Sequence, residues 1–456
     1  MMHRLLLKGW ENRSMAFPDT PAGTPLEVGA EIELDVTGIA HGGISVARHE
    51  GRVVFVSDAI PGERVRARVT DAKKKSFARA TTTEVIDASA DRRDHIWDAA
   101  SVALDPEDRA GGAEFGHIAL ERQRLLKAEV LTDAMRRFGG VELAADEGED
   151  LSEALADLIE AAPGDDETNG LGYRSRVRLH VDPETGAVGP YAARSRRIIS
   201  VDSLPLANDG IAQIAPLGDL MPGVATVDLV APSADDPRML LGMAGERTRA
   251  GANDAVKELV EDRGFLVRAG GFWQVHREAP ALLFTAVRDA VSDLIEDGRF
   301  DPAAGNLDLY GGAGLLAAAV AEAAGPGLKI TSIESDGAAT DDAAENLAEL
   351  VGARALTARV DRHLAELLQA AAPVRDRLSR GTVVLDPPRS GAGGEVTAQL
   401  IQLAPANIVY VACDPVALAR DTKTLRDAGY ELTSLRGFDI FPHTHHFETL
   451  AVFERA

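Results

Sequence analysis

One cysteine, Cys413, stands in a chain of 456 residues. An internal disulfide, a cysteine-built zinc site and a four-thiolate iron–sulfur cluster all need more thiols than that, so none of them is expected. A reducing compartment, the cytoplasm, is the simplest setting. Long apolar runs are missing too. The Leu5-Leu6-Leu7 core near the start gives way to charge within a few residues, too short for a signal h-region or a membrane span. Residues 1–24 read as a mobile leader. Positive charge is in deficit: 48 Lys and Arg face 72 Asp and Glu, a formal net charge of −24. That excludes wholesale attraction to nucleic acid, which depends on neutralising phosphates.

What is present is apolar content of 45%, enough to bury cores for roughly two to four domains. Charge is unevenly spread. Acidic residues concentrate between Glu142 and Glu167, while two short segments are basic. One carries Arg64, Arg66, Arg68, Lys73, Lys74, Lys75 and Arg79; the other carries Arg174, Arg176, Arg178, Arg194, Arg196 and Arg197. Residues 25–87 alternate in short runs, Glu31–Val36, Val53–Val56 and Arg64–Val69, broken at His41-Gly42-Gly43 and Pro61-Gly62. This is the pattern of a small β-barrel of the oligonucleotide-binding kind, in which alternating arginines form an RNA-facing stripe. Residues 88–285 read as an α+β accessory domain with an amphipathic helix over 119–138, a helical piece near 151–161 and a strand with one basic face over 174–181. Residues 286–456 alternate strand and helix and end in two adjacent strands. They predict a doubly wound parallel sheet with an antiparallel finish.

Chemistry gathers at the strand ends of this last region. The first strand runs into Asp308-Leu309-Tyr310-Gly311-Gly312-Ala313-Gly314 before a helix, where Gly312 and Gly314 permit a tight turn and close ligand approach. Glu334, at the end of the next strand, offers a carboxylate to ribose hydroxyls. The same pattern satisfies a loose dinucleotide fingerprint, so an NAD-dependent oxidoreductase competes. Asp386-Pro387-Pro388-Arg389 follows the strand Thr382–Leu385, and its prolines hold the aspartate in a set direction. Together with the lack of a second nucleotide motif, this favours S-adenosylmethionine. Cys413 ends the run Asn407–Ala412 where a helix begins, a position at which backbone N–H groups and the helix dipole favour the thiolate.

These motifs, with Phe272-Trp273-Gln274-Val275 and the terminal Phe441-Pro442-His443-Thr444-His445-His446-Phe447-Glu448, resemble the RNA 5-methyluridine methyltransferases over most of the chain. The resemblance implies an N-terminal TRAM barrel, a central domain and a Rossmann-like class I methyltransferase domain. It implies that Gln274, Tyr310, Glu334, Asp386 and Asp361 contact S-adenosylmethionine, that Cys413 is the nucleophile and that Glu448 accepts the proton. The substrate is then a structured RNA, ribosomal in preference to transfer RNA, met by Arg64, Arg66, Arg68, Lys74, Arg174, Arg176 and Arg389. The enzyme is expected to act as a monomer and without a membrane.

Departures from the family are equally specific. Many members hold an iron–sulfur cluster on four cysteines, three of them just after the barrel, and the stretch His95 to Gly116 has none. Packing alone is expected there. Gly311 replaces the usual Cys or Ser, Leu315 an Asn, and Asp414 the Asn that commonly follows the nucleophile; a carboxylate so placed is expected to raise the thiol pKa. No metal is expected at the histidines, because His443 and His445 would share one strand face and His446 and Glu448 the other. Two further readings compete: a cytosine-C5 methyltransferase, which uses the same thiolate addition, and an RNA-binding protein that keeps the fold without the chemistry.

Overall fold

The computed structural model describes residues 6–9, 26–144 and 151–456. Part of the expected leader is ordered: strand β1 (Leu6–Gly9) pairs antiparallel with residues 141–144. The rest of it, 1–5 and 10–24, lies outside the described residues.

Strands β2 (Glu31–Ala40), β3 (Ile44–His49), β4 (Arg52–Ser57), β5 (Arg64–Asp71) and β6 (Phe77–Asp87) close into a barrel in the order β2-β3-β4-β6-β5. Period-two alternation drives closure. Leu34, Val36, Val54, Val56 and Val65 point inward, and Ala47, Ala67, Ala78 and Ala80 leave room for so narrow an interior. The outward arginines are not free. Arg64 and Arg66 pair with Glu33, Arg66 also with Glu84, and Arg68 with Glu31. Cross-strand register sets Glu33 opposite Arg66 and Glu31 opposite Arg68, so the expected RNA-facing stripe is charge-compensated within the barrel.

The chain from 88 to 285 divides between two bodies. Helix α1 (Leu120–Ala134), β7 (Val141–Ala144), α2 (Leu151–Leu158) and β8 (Ile159–Ala161) join the C-terminal domain: Leu131, Met135 and Ile159 enter its core, and β8 pairs parallel with the strand at 437–439. The separate accessory body holds β9 (Arg176–Val181), β10 (Val188–Gly189), α3 (Asp209–Ile214), β11 (Val224–Val230) and β12 (Arg238–Met243). These strands form an antiparallel sheet ordered β10-β9-β11-β12, followed by the hairpin β13 (Ala255–Val260) and β14 (Arg263–Arg268). The expected basic face of β9 is also compensated. Arg176 is buried against Glu258, and Arg178 pairs with Asp228.

After α4 (Ala279–Glu296) come β15 (Asn306–Leu309), α5 (Leu315–Ala324), β16 (Ile330–Glu334), α6 (Gly337–Asn346), β17 (Ala353–Thr357), α7 (Val360–Leu368) and α8 (Ala372–Leu378). The chain finishes with β18 (Thr382–Leu385), α9 (Gly393–Leu403), β19 (Asn407–Ala412), α10 (Pro415–Asp427), β20 (Tyr430–Asp439) and β21 (Glu448–Arg455). The sheet order is β17-β16-β15-β18-β19-β21-β20-β8, parallel through β19, with β21 antiparallel to both β19 and β20. Every residue of β18 and β19 is buried. Ile408 and Tyr410 pack on one helical layer and Val409 and Val411 on the other, as a doubly covered sheet requires. No helix among the described residues is long and apolar enough to cross a membrane.

Lys127 of α1 and Asp439 at the end of β20 form a buried ion pair, 2.5 Å from Nζ to Oδ1, and Lys127 also donates to the Phe441 carbonyl at 3.2 Å. Removing one partner strands a buried charge. Lys127→Met is expected to destabilise the fold by roughly 3–5 kcal/mol, and Lys127→Met with Asp439→Leu to recover most of it. Urea midpoints followed by circular dichroism measure both; a double variant no better than the single would show that packing of the lysine stem, not the pair, carries the effect.

Candidate active site

The carboxyl edge of the parallel sheet carries the site. After β15 the backbone turns sharply: Tyr310, Gly312 and Gly314 take φ of 62°, 52° and 87°. Gly311 fits for a different reason. A Cβ there would lie 1.9 Å from Ser332 Oγ and 2.5 Å from Asp308 Oδ2, two atoms that hydrogen-bond each other at 2.7 Å. The space that a Cys or Ser side chain would occupy is thus filled by a serine from the neighbouring strand. Glu334 closes the cradle, accepting hydrogen bonds from the N–H groups of Gly312 (3.2 Å), Ser335 (2.5 Å) and Asp336 (2.8 Å). Beneath lies Asp308, buried, with Oδ1 unpartnered among the described residues and a carboxyl pushed up to about 6 by burial. Asp386, across the edge, is pushed up to about 7 by burial and by Asp308. Asp361 opens α7 and is held below the usual carboxylate range by Arg359 at 2.7 Å. Gln274 is half-buried, directly after Trp273, which packs on Phe265. A glycine cradle closed by a strand-end carboxylate, with an unpartnered buried acid beneath it, fits a nucleoside-bearing ligand.

Cys413 follows the last buried residue of β19. Asp414 caps α10 by accepting from Ala417 N–H at 2.8 Å, and Pro415 occupies the first helical turn. The thiol opens on a pocket of about 180 Å³ lined also by Arg389, His41, His445 and His446. Its pKa is not lowered as the helix dipole predicts. Burial, then Glu448 and Asp386, push it up to about 12, against the opposing pull of Arg389. Asp414, expected to act on the thiol, turns its carboxylate to the barrel, where His41 Nε2 lies at 3.2 Å. Glu448, the first residue of β21, is 5% exposed, and its Oε1 has no partner among the described residues. Burial and Asp386 raise its carboxyl well above the usual range, and Arg389 again opposes. One arginine therefore serves both the thiol and the acid.

The segment 440–447 is a turn rather than a strand, and His443 sits in it at φ 63°. The alternation used to exclude a metal does not apply. Instead the turn brings His445 and His446 together with Glu114 from the segment after the barrel, one ligand-type atom of each within 4.8 Å of the others. His445 already bonds Glu114 through Nδ1 and through its N–H at 3.2 Å. Where many family members hold their cluster, Trp97, Ala100, Ala110 and Ala113 pack against Tyr173, Val201 and Leu206, an apolar core in its place. Of the expected RNA contacts, Arg389 is exposed, Lys74 lies over the Phe77 ring at 5.3 Å, and Arg174 over the Tyr173 ring at 5.4 Å. Arg176 is inside, not on the surface.

Sequence reading missed His41, Asp308 and Ser332. For His41 the available signal was a titratable residue set against two glycines in a turn. Gly43 must be glycine, as its φ is 73° and a Cβ would meet His445 Cβ at 2.5 Å. For Asp308 and Ser332 there was none, since their pairing follows from strand register.

Two outcomes follow from these charges. Asp308 and Asp386 hold protons in the fold that the unfolded chain releases above about pH 4, so stability falls as pH rises through about 6–7, and Glu448, raised in the same sense, adds to the loss. Asp386→Asn should flatten that fall and raise Tm by a few degrees at pH 8; an unchanged profile between pH 5 and 8 would contradict the assignment. His41 has a raised pKa through Asp414, with burial and Arg420 opposing, so its hold on the barrel turn is complete at low pH and weakens as pH rises through that value. Hydrogen exchange over residues 40–44, corrected for the intrinsic rate, should quicken with pH in the native protein and be fast at every pH in His41→Ala.

Residues 25–82 match the TRAM domain model, and residues 359–456 match that of the tRNA (uracil-5-)-methyltransferases. The chain is 34% identical to an RNA methyltransferase of uncharacterised activity from Streptomyces coelicolor, over 98% of this chain and 97% of that protein. It is 31% identical to the 23S rRNA (uracil(1939)-C(5))-methyltransferase RlmD of Alkalilimnicola ehrlichii, over 93% and 96% respectively. Its fold superposes on that of Pyrococcus abyssi tRNA (uracil-54, C5)-methyltransferase, solved with S-adenosyl-L-homocysteine, with a TM-score of 0.64 at 17% identity, covering 92% of this chain and 100% of that one. With a closed barrel, a glycine cradle at the sheet edge and relatives alike over their whole length, the chain belongs to the S-adenosylmethionine-dependent RNA (uracil-C5-)methyltransferase family.

Proposed function

We propose that this enzyme methylates C5 of a uridine in ribosomal RNA through a covalent bond between Cys413 and C6 of the base. The observation that carries the reading is the convergence of Cys413 and Glu448 at one sheet edge, where both have Asp386 and Arg389 as charged neighbours. Gln274, Tyr310, Glu334, Asp361 and Asp386 would hold the methyl donor, which would supply a methyl group on a positively charged sulfur. The chain's own residues do the rest. Uracil C5 is a poor nucleophile until Cys413 Sγ bonds C6 and pushes the ring electrons toward O4, which makes C5 electron-rich. Arg389, the cation that favours the ionised forms of both Cys413 and Glu448, supports that addition. Once C5 carries the methyl group, Glu448 takes its proton, the C5–C6 double bond reforms and the thiolate departs. A buried carboxyl of raised pKa suits this proton transfer better than an exposed one, because its anion is the stronger base.

The ribosomal assignment rests on relatives named for 23S rRNA that are alike over nearly the whole chain, whereas the transfer-RNA enzyme shares its fold at 17% identity. RNA contact falls to Lys74, Arg174 and Arg389, which have no carboxylate partner within ion-pair distance among the described residues. Arg64, Arg66 and Arg68 would reach phosphate only by releasing Glu31, Glu33 and Glu84. The target base must leave its stack to reach a pocket of this size. A single-cysteine enzyme acting as a monomer in the cytoplasm completes the reading.

The test uses 5-fluorouridine-substituted ribosomal and transfer RNA with the methyl donor, followed by a denaturing gel. Fluorine cannot leave as a proton, so the native enzyme should hold ribosomal RNA in a gel-stable band that Cys413→Ala lacks. On ordinary RNA, Glu448→Gln should accumulate the same band while product falls to background. Methyl transfer surviving in Cys413→Ala would end the covalent reading, and a band with transfer RNA alone would end the ribosomal one.

A further inference from the structure

A cavity larger than the one at Cys413 lies in the accessory body. Beside β9 and the loop before Gln274 lies a space of about 450 Å³, against about 180 Å³ at the thiol, and no step of methyl transfer uses it. Its floor is apolar, with Trp97, Leu206, Leu229 and Trp273; its walls carry Arg174, Arg176, Arg178 and Arg249 against one carboxylate, Asp228. Arg178 and Arg249 share Asp228, and Arg176 is matched by Glu258 behind the wall. Four cations against two anions leave two positive charges in a chain whose formal net charge is −24.

Three details make this a built site rather than a packing defect. Arg176 is 9% exposed, and its Nε has no partner among the described residues. Arg176 Nη1 and Arg249 Nη2 also grip the loop at the rim, donating to the carbonyls of Gly271 (3.2 Å) and Gly270 (3.3 Å). Gly270 allows that grip, since a Cβ there would meet Ala252 Cβ at 2.6 Å. The pinned loop then presents Phe272, 72% exposed, at the cavity's mouth. An aromatic face held out to solvent beside unspent cations matches an anionic ligand with a flat ring.

The cavity is also close to the chemistry. Gly112 on its wall is three residues from Phe115 on the wall of the Cys413 pocket, at most about 11 Å between their Cα atoms. Phe272 stands two residues before Gln274.

We infer that this cavity receives a second nucleotide of the RNA whose uridine enters the Cys413 pocket: its base stacks on Phe272 and its phosphate meets Arg174. The inference rests on the RNA-methylating reading and adds a subsite to it. Stacking without base-edge recognition makes the subsite tolerant of sequence, so it contributes affinity and holds the strand while the target base is out of its stack.

The chain's three tryptophans are Trp10, Trp97 and Trp273, and the last two line the cavity, so it carries its own reporter. Full-length Trp10→Phe enzyme, saturated with S-adenosylhomocysteine to keep the cofactor cradle filled, is titrated with a short oligocytidylate that offers no uridine to Cys413. Saturable quenching is expected, weakened about tenfold or more by Phe272→Ala and by Arg174→Ala. In methyl-transfer assays the same two variants should raise KM for RNA by a similar factor, with kcat and KM for the methyl donor preserved. Absent quenching, quenching indifferent to both substitutions, or an unchanged KM for RNA would each overturn the subsite. The two readings fail separately: quenching without any methylation removes the enzyme reading alone, and methylation indifferent to Phe272 and Arg174 removes the subsite alone.

Discussion

Acid groups crowded at the carboxyl edge of one buried sheet are the constraint on which the rest of the structure depends. Asp308, Asp386 and Glu448 come from the ends of β15 and β18 and the start of β21, and Cys413 comes from the end of β19, so adjacent strands deliver mutually repelling groups to one place. Such an arrangement persists only where the backbone is over-determined. The fully buried β18 and β19, hydrogen-bonded on both sides and packed under two helical layers, provide that rigidity. The raised proton affinities are then a consequence of the fold rather than of any one residue, and Arg389 tempers two of them, those of Cys413 and Glu448.

The second organising feature is the turn between β20 and β21. His443 donates from its N–H to Gln123 and meets the Asn169 carbonyl through its ring, while its own carbonyl accepts from Phe115. Tyr173 donates to the Pro442 carbonyl at 3.2 Å, and Gly43 of the barrel presses on His445. Barrel, accessory body and C-terminal domain therefore meet within a few residues of Glu448. Displacing any of them disturbs the same turn, which gives the barrel a physical route to the catalytic pocket besides RNA binding.

The departures from the family pattern are compensated locally. Glycine at 311 is matched by Ser332 reaching across from β16. Asp414 is matched by His41, which turns a carboxylate beside Cys413 into half of an interdomain pair. The missing cluster cysteines are matched by alanines and a tryptophan that close the space. In each case the substitution looks damaging in isolation, because its partner lies far away in sequence.

The sequence by itself determined the architecture and the motifs at its strand ends. Period-two and helical alternation are local properties, so the barrel and the wound sheet could be read segment by segment, and motifs at strand ends are set by the same local chain path. Tertiary structure decided everything that depends on what faces each residue. The thiol at a helix start is raised, not lowered, because Glu448 and Asp386 arrive from other strands. The barrel arginines are compensated because register places glutamates opposite them, and β8 leaves the accessory region to extend the catalytic sheet. The arginine-lined cavity beside Phe272 exists only once β9, the 111–112 segment and the 270–271 loop are brought together. Charge, burial and proton affinity are properties of neighbourhoods, and a neighbourhood is fixed by long-range contacts that no stretch of sequence contains.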